Sequence, residues 1–101
     1  MHLVQIFLPV YDNAGVALPR ELYDEVRREL VDRFRGLTAY SRAPAKGLWA
    51  DGAQVEKDDI VVYEVMVEPL DPGWWSRYRK TLEQRFAQDE LMVRALETTR
   101  L

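Results

Sequence analysis

The nine residues from Ile60 to Glu68, IVVYEVMVE, constrain the fold of this chain more than any other segment. They form its most β-rich run, and a strand of that kind belongs in the middle of a sheet, where branched and aromatic side chains pack on a pleated surface. Alternation sorts them: Val61, Tyr63, Val65 and Val67 face one way, and Ile60, Val62, Glu64 and Met66 the other. Both sets are rich in apolar residues. One face of the resulting sheet must be covered by other elements of the chain, and the second face is too apolar to be left to water.

The covering elements are legible on either side of this run. His2 to Val10 alternates as a first strand, with Val4, Ile6 and Leu8 inward and Leu3, Gln5 and Phe7 outward. Tyr11 to Gly15, YDNAG, is turn chemistry. A helix over about 19 to 35 follows, with Pro19 in its first turn, an apolar stripe of Leu22, Val26, Leu30 and Phe34, and Gly36 as its stop. Leu37 to Arg42 and Gly47 to Ala50 read as two strand-like pieces around a kink at Pro44, and Asp51-Gly52 as a hairpin turn leading into Ile60. Asp71-Pro72 supplies an N-cap and first-turn proline for a second helix over about 72 to 88. Leu91 to Leu96 closes the chain as a strand, with Leu91, Val93 and Ala95 inward and Met92, Arg94 and Leu96 outward.

This order, β-α-β-β-α-β, predicts an α+β protein of ferredoxin-like architecture: one domain over 1–101, an antiparallel sheet in the spatial order 4-1-3-2, and two helices on one face. The outward residues then assemble a continuous apolar face, and such faces mark interaction surfaces. A homodimer packed sheet against sheet is expected. Three polar residues interrupt that face, Gln5, Glu64 and Arg94, and in the predicted strand order they fall side by side. Two readings stay open for them: an ion pair that sets the register of an interface, or a carboxylate and guanidinium that grip a polar ligand.

A second feature is the pair Trp74-Trp75. On a helix, Trp75, Tyr78, Leu82 and Phe86 share an arc of about 80°, the width of a core stripe, so Trp75 belongs to the core and Trp74 stands on its border. Trp74 either covers the sheet edge or a loop, or walls a pocket. With Tyr40, Arg42 and Trp49, which flank the Pro44 kink, it forms the candidate ligand site: aromatic walls for an apolar body and a guanidinium for an anionic or carbonyl group. Ordinary hairpin packing is the other account of the same residues.

Composition narrows the function classes. There is no cysteine, which excludes disulfides, thiolate metal sites and a cysteine nucleophile. His2 is the only histidine and lies beside a terminus; Glu56, Asp58 and Asp59 lack spaced partners; no HExxH or phosphate-cradling glycine loop is present. No metal and no cofactor is expected. The net charge is -3, with 11 Arg and three Lys, and the pI is about 5.1, which argues against a nucleic-acid partner. No apolar run reaches the roughly 20 residues of a membrane span, and no signal peptide is expected, so the cytoplasm is the predicted location.

The stretches FRGLTAYSRAPAKGLWADG, DDIVVYEVMVE and WWSRYRKTLEQRF together resemble a group of small uncharacterised bacterial proteins of about this length, with a GLT segment, a GxW hairpin and an aromatic-rich second helix. The likeness spans nearly the whole chain. It implies the ferredoxin-like fold and no particular activity. The architecture also looks like the dimeric α+β barrel group, which includes cofactor-independent monooxygenases and isomerases. Two function classes follow: a small-molecule-binding or interaction module, and a cofactor-independent enzyme acting on a small aromatic or polyketide-like substrate.

Overall fold

The structure, a computed structural model, describes residues 1–36, the backbone of 38–42, and residues 60–101. Six elements follow one another: β1 (His2–Pro9), α1 (Arg20–Phe34), β2 (Thr38–Arg42), β3 (Ile60–Val67), α2 (Pro72–Arg85) and β4 (Val93–Glu97). The class is α+β. The strands make one sheet in the order β2-β3-β1-β4, antiparallel at every pairing. The second strand-like piece Gly47 to Ala50, the Pro44 kink, the Asp51-Gly52 turn and the acidic residues Glu56, Asp58 and Asp59 lie outside the described residues.

Register follows from the alternation. Val4 pairs with Val65 and with Ala95, and Ile6 with Tyr63 and with Val93, so the inward residues of three strands share one face. Onto that face pack Val26 and Leu30 of α1 and Trp75, Tyr78 and Leu82 of α2, with Phe86 just beyond the helix. Ile6, Leu8, Val26, Leu30, Leu82 and Phe86 are fully enclosed. Burying a side chain of this kind stabilises by about 1.5–3 kcal/mol, which is why the four-residue spacing of the helices and the two-residue spacing of the strands converge on one core. Phe86 meets the ring of Tyr23 edge-on at 5.3 Å.

The turns and caps are local chemistry. Asp12 folds its carboxylate back onto the amides of Ala14 and Val16, at 2.8 and 2.9 Å, and Gly15 takes a φ of 81°. Asp71 caps α2 by accepting from the Trp74 amide at 3.1 Å, with Pro72 in the first turn.

Four details differ from the sequence reading. α1 is stopped at Arg35, not at Gly36: Arg35 adopts the left-handed conformation (φ 58°, ψ 25°), and its amide donates to Val31 O at 2.7 Å. α2 ends at Arg85 because Ala87 turns left-handed (φ 52°) and the Ala87 and Gln88 amides donate to the carbonyls of Gln84 and Glu83, the paired bonds of a Schellman ending. Neither left-handed position is a glycine, so no breaker marks them in the sequence. β4 begins at Val93, not Leu91, because the Leu91 amide is taken by the Glu83 carboxylate at 2.9 Å while Leu91 itself stays in the core. Ala95 faces the helix side as its parity predicts, opposite Val4, but it stays exposed: β4 is an edge strand, and the helix layer does not close over its end.

Candidate functional site

The face of the sheet turned away from the helices carries Leu3 and Phe7 from β1, Val62 and Met66 from β3, and Met92 and Leu96 on or beside β4. Leu3 is opposite both Met66 and Leu96 in register, and Phe7 is opposite Val62. Met66, Met92 and Leu96 are 50%, 60% and 42% exposed. These are large apolar side chains grouped on one surface rather than scattered.

Gln5 sits in the middle of that surface, in register with Glu64 on one side and Arg94 on the other. Its amide joins both neighbours. Gln5 Nε2 donates to Glu64 Oε2 at 2.6 Å, and Arg94 Nε donates to Gln5 Oε1 at 2.7 Å. The Arg94 guanidinium also lies over the Phe7 ring, 5.1 Å from its centre. The three residues that the alternation placed in a row therefore form one hydrogen-bonded chain, negative at one end and positive at the other. Within the described residues neither Glu64 nor Arg94 has an ion-pair partner. Gln5 uses both ends of its amide to hold them in place, and its orientation is dictated by them: the NH2 must face the carboxylate and the C=O the guanidinium.

Of the candidate ligand residues, Trp74 falls elsewhere. Trp74 packs on the helix side, edge-on to Phe34 at 5.4 Å and to Trp75 at 4.8 Å, stacked on Tyr78 at 4.8 Å, with the Arg33 guanidinium 4.2 Å from its ring centre. It joins the end of α1 to the start of α2. Register sets Tyr40 opposite Val62 and Arg42 opposite Ile60, at positions of the open face, whereas Trp49 lies outside the described residues.

Among the described residues, Trp75 meets a cavity. A groove of about 250 Å³ runs between α2 and β4, lined among others by Val4, Leu70, Trp75, Ser76, Arg79 and Val93. Sequence reasoning missed it, because a groove at a helix-sheet edge depends on how far the helix is set back from the last strand, which no residue pattern encodes. Arg79 is not free there: it pairs with Glu83 at 2.7 Å.

A third cluster ties the helices together. Glu29 accepts two bonds from Arg85, at 2.7 and 3.0 Å, and one from the Tyr78 hydroxyl at 2.8 Å, while Glu25 stands 3.4 Å from the same guanidinium. The Arg85 hydrogen bonds hold the Glu29 carboxyl below the usual range, and burial pushes the Tyr78 hydroxyl up. Burial likewise raises Tyr63, and it raises Tyr23 to about 12, where the hydroxyl donates to the Pro9 carbonyl. These are neutral phenols inside the molecule. His2 lies in β1, opposite Val67 and Glu97 and half-buried. Among the described residues, no group of three or more His, Cys, Asp or Glu could hold a metal, and no helix is long and apolar enough to cross a membrane.

No protein-family model matches the chain, and no curated protein is significantly similar to it.

Proposed function

We propose that this chain is a ferredoxin-like homodimer, akin to the small bacterial proteins and dimeric α+β barrels it resembles, and that it works as a small-molecule-binding or interaction module. The open sheet face carries the reading. It groups Leu3, Phe7, Met66, Met92 and Leu96 around a single polar row. In projection four strands span about 19 Å, and the face extends for five to eight residues at about 3.3 Å each. Covering it hides several hundred Å² per chain, on the scale of roughly 800 Å² per partner found in stable complexes.

Sedimentation velocity tests the dimer. The expected species at tens of micromolar has twice the 11.8 kDa chain mass, and a single-chain mass there sinks the proposal. Met66→Glu and Met92→Glu are the fitting probes, since both side chains are half or more exposed and a glutamate there leaves the core intact. Val62 sits on the same face but is 5% exposed, so a charge there tests the fold as well as the interface. A screen of small aromatic ligands by tryptophan fluorescence tests the binding function. Binding without turnover keeps the module reading, whereas turnover that falls on Glu64→Gln moves the assignment to the cofactor-independent enzyme class.

A further inference from the structure

We infer that the polar row orients the dimer: the partner of this face is a second copy whose strands run in the same sense, so that Glu64 of each chain meets Arg94 of the other in two symmetric ion pairs. The inference rests on the dimer reading above and adds its geometry.

The charges are arranged as a dipole across the strands. Glu64 lies on β3, Arg94 on β4 and Gln5 on β1 between them, so the two ends are two strand spacings apart, about 9.6 Å. Two like sheets packed face to face, with strands nearly aligned, can be related by a twofold axis in only two ways. An axis along the strands over Gln5 exchanges the two ends of the row, and each carboxylate then faces a guanidinium. An axis perpendicular to the strands returns each end to its own kind, so that Glu64 faces Glu64 and Arg94 faces Arg94. The first is self-complementary; the second drives two like-charged contacts into an apolar interface, where screening by water is lost.

Two observations favour the first arrangement. Gln5 holds Glu64 by one oxygen and Arg94 by Nε, which leaves Glu64 Oε1 and the terminal nitrogens of Arg94 for a partner. Neither residue has a countercharge among the described residues of its own chain. The remaining contacts are apolar in both chains: with the axis over β1, Leu3 and Phe7 meet their own copies, and β3 lies over the partner's β4. Sheets stack about 10 Å apart, a gap that a glutamate and an arginine reaching from opposite sides can close. β2 of each chain is then left projecting beyond the partner's β4, which sets a staggered outline rather than a flush one.

Neutral and reversed side chains separate the two arrangements. In sedimentation equilibrium at low salt, Glu64→Gln and Arg94→Gln are each expected to weaken the dimer by about 30-fold or more, the effect of stranding one charge of a buried pair. Glu64→Arg and Arg94→Glu are each expected to be monomeric. An equimolar mixture of those two is expected to recover a heterodimer within about threefold of the wild-type affinity. Circular dichroism of each variant confirms folding, and the neutral variants serve alone if a reversed chain does not fold. A dimer that Glu64→Gln leaves unchanged or tightens, or a mixture that stays monomeric or binds more tightly than wild type, overturns the crossed pairing while leaving the dimer in place. A monomeric wild type removes the dimer itself and the inference with it.

Discussion

Arg35 and Ala87 hold left-handed backbone positions, φ 58° and 52°, at the ends of the two helices, where a side chain costs about 1 kcal/mol that glycine does not. Arg35→Gly and Ala87→Gly are each expected to stabilise the fold by up to about 1 kcal/mol, less the extra freedom glycine gives the unfolded chain. In a chain of this length that is a rise in melting temperature of about 4–8 °C per kcal/mol, read by thermal circular dichroism; a fall in either variant contradicts the reading. Asp71→Ala works in the other direction. It removes the side-chain acceptor of the Trp74 amide, and a loss of about 1 kcal/mol is expected in denaturant titrations. The Asp71 cap was legible because Asp-Pro ahead of an apolar stripe has few other uses. The left-handed arginine and alanine were not, since their conformation comes from the way each helix ends against the sheet rather than from their own preference.

The two helices are joined by Glu29, Arg85 and Tyr78, and that join, with the buried phenols of Tyr23 and Tyr63, contributes to how stability depends on pH. The Glu29 carboxyl titrates below the ordinary carboxylate range, so its contribution is present above that range and is lost as the pH falls through its folded-state value. The tyrosines run the opposite way. Tyr23, Tyr63 and Tyr78 are raised, so what they contribute is full below the ordinary phenol range near 10 and is lost as the pH rises through their folded values, about 12 for Tyr23. Glu29→Gln is expected to cost about 1 kcal/mol at neutral pH, a small figure for a paired carboxylate because the side chain is 39% exposed, and to flatten the acid limb of the stability profile. Tyr23→Phe is expected to flatten the alkaline limb. Melting temperatures across pH 3 to about 11 check both, and limbs unchanged in the two variants would refute these assignments. Leu82→Ala, at a fully enclosed position facing the sheet, should cost about 2–5 kcal/mol in the same assay. The periodicity that placed Leu82, Tyr78 and Trp75 on one stripe is a property of the sequence, whereas the pairing of Glu29 with Arg85, 56 residues apart, needs the helices already side by side.

At the scale of the whole molecule the proposed dimer rests on the open sheet face. Met66→Glu and Met92→Glu are expected to shift the chain to the monomer without lowering its melting temperature measured below the association range, since neither side chain is in the core. Single-stranded RNA is expected to cause no salt-sensitive shift. A base-stacking sheet presents aromatics on its two central strands, and here β1 offers Phe7 while β3 offers Val62, Glu64 and Met66. The alternation of β1 and β3 by itself determined which residues share a face, because successive side chains of a strand must point to opposite sides. It therefore predicted the meeting of Gln5 and Glu64 and, given the strand order, of Arg94 as well. What only the tertiary structure decided is how those residues are used: that one glutamine amide bridges both charges, that Trp74 spends its ring on Phe34, Arg33 and Tyr78, and that a groove opens beside Trp75. Such features depend on distances between elements remote in the chain, which local periodicity does not carry; they are set when the helices settle on the sheet.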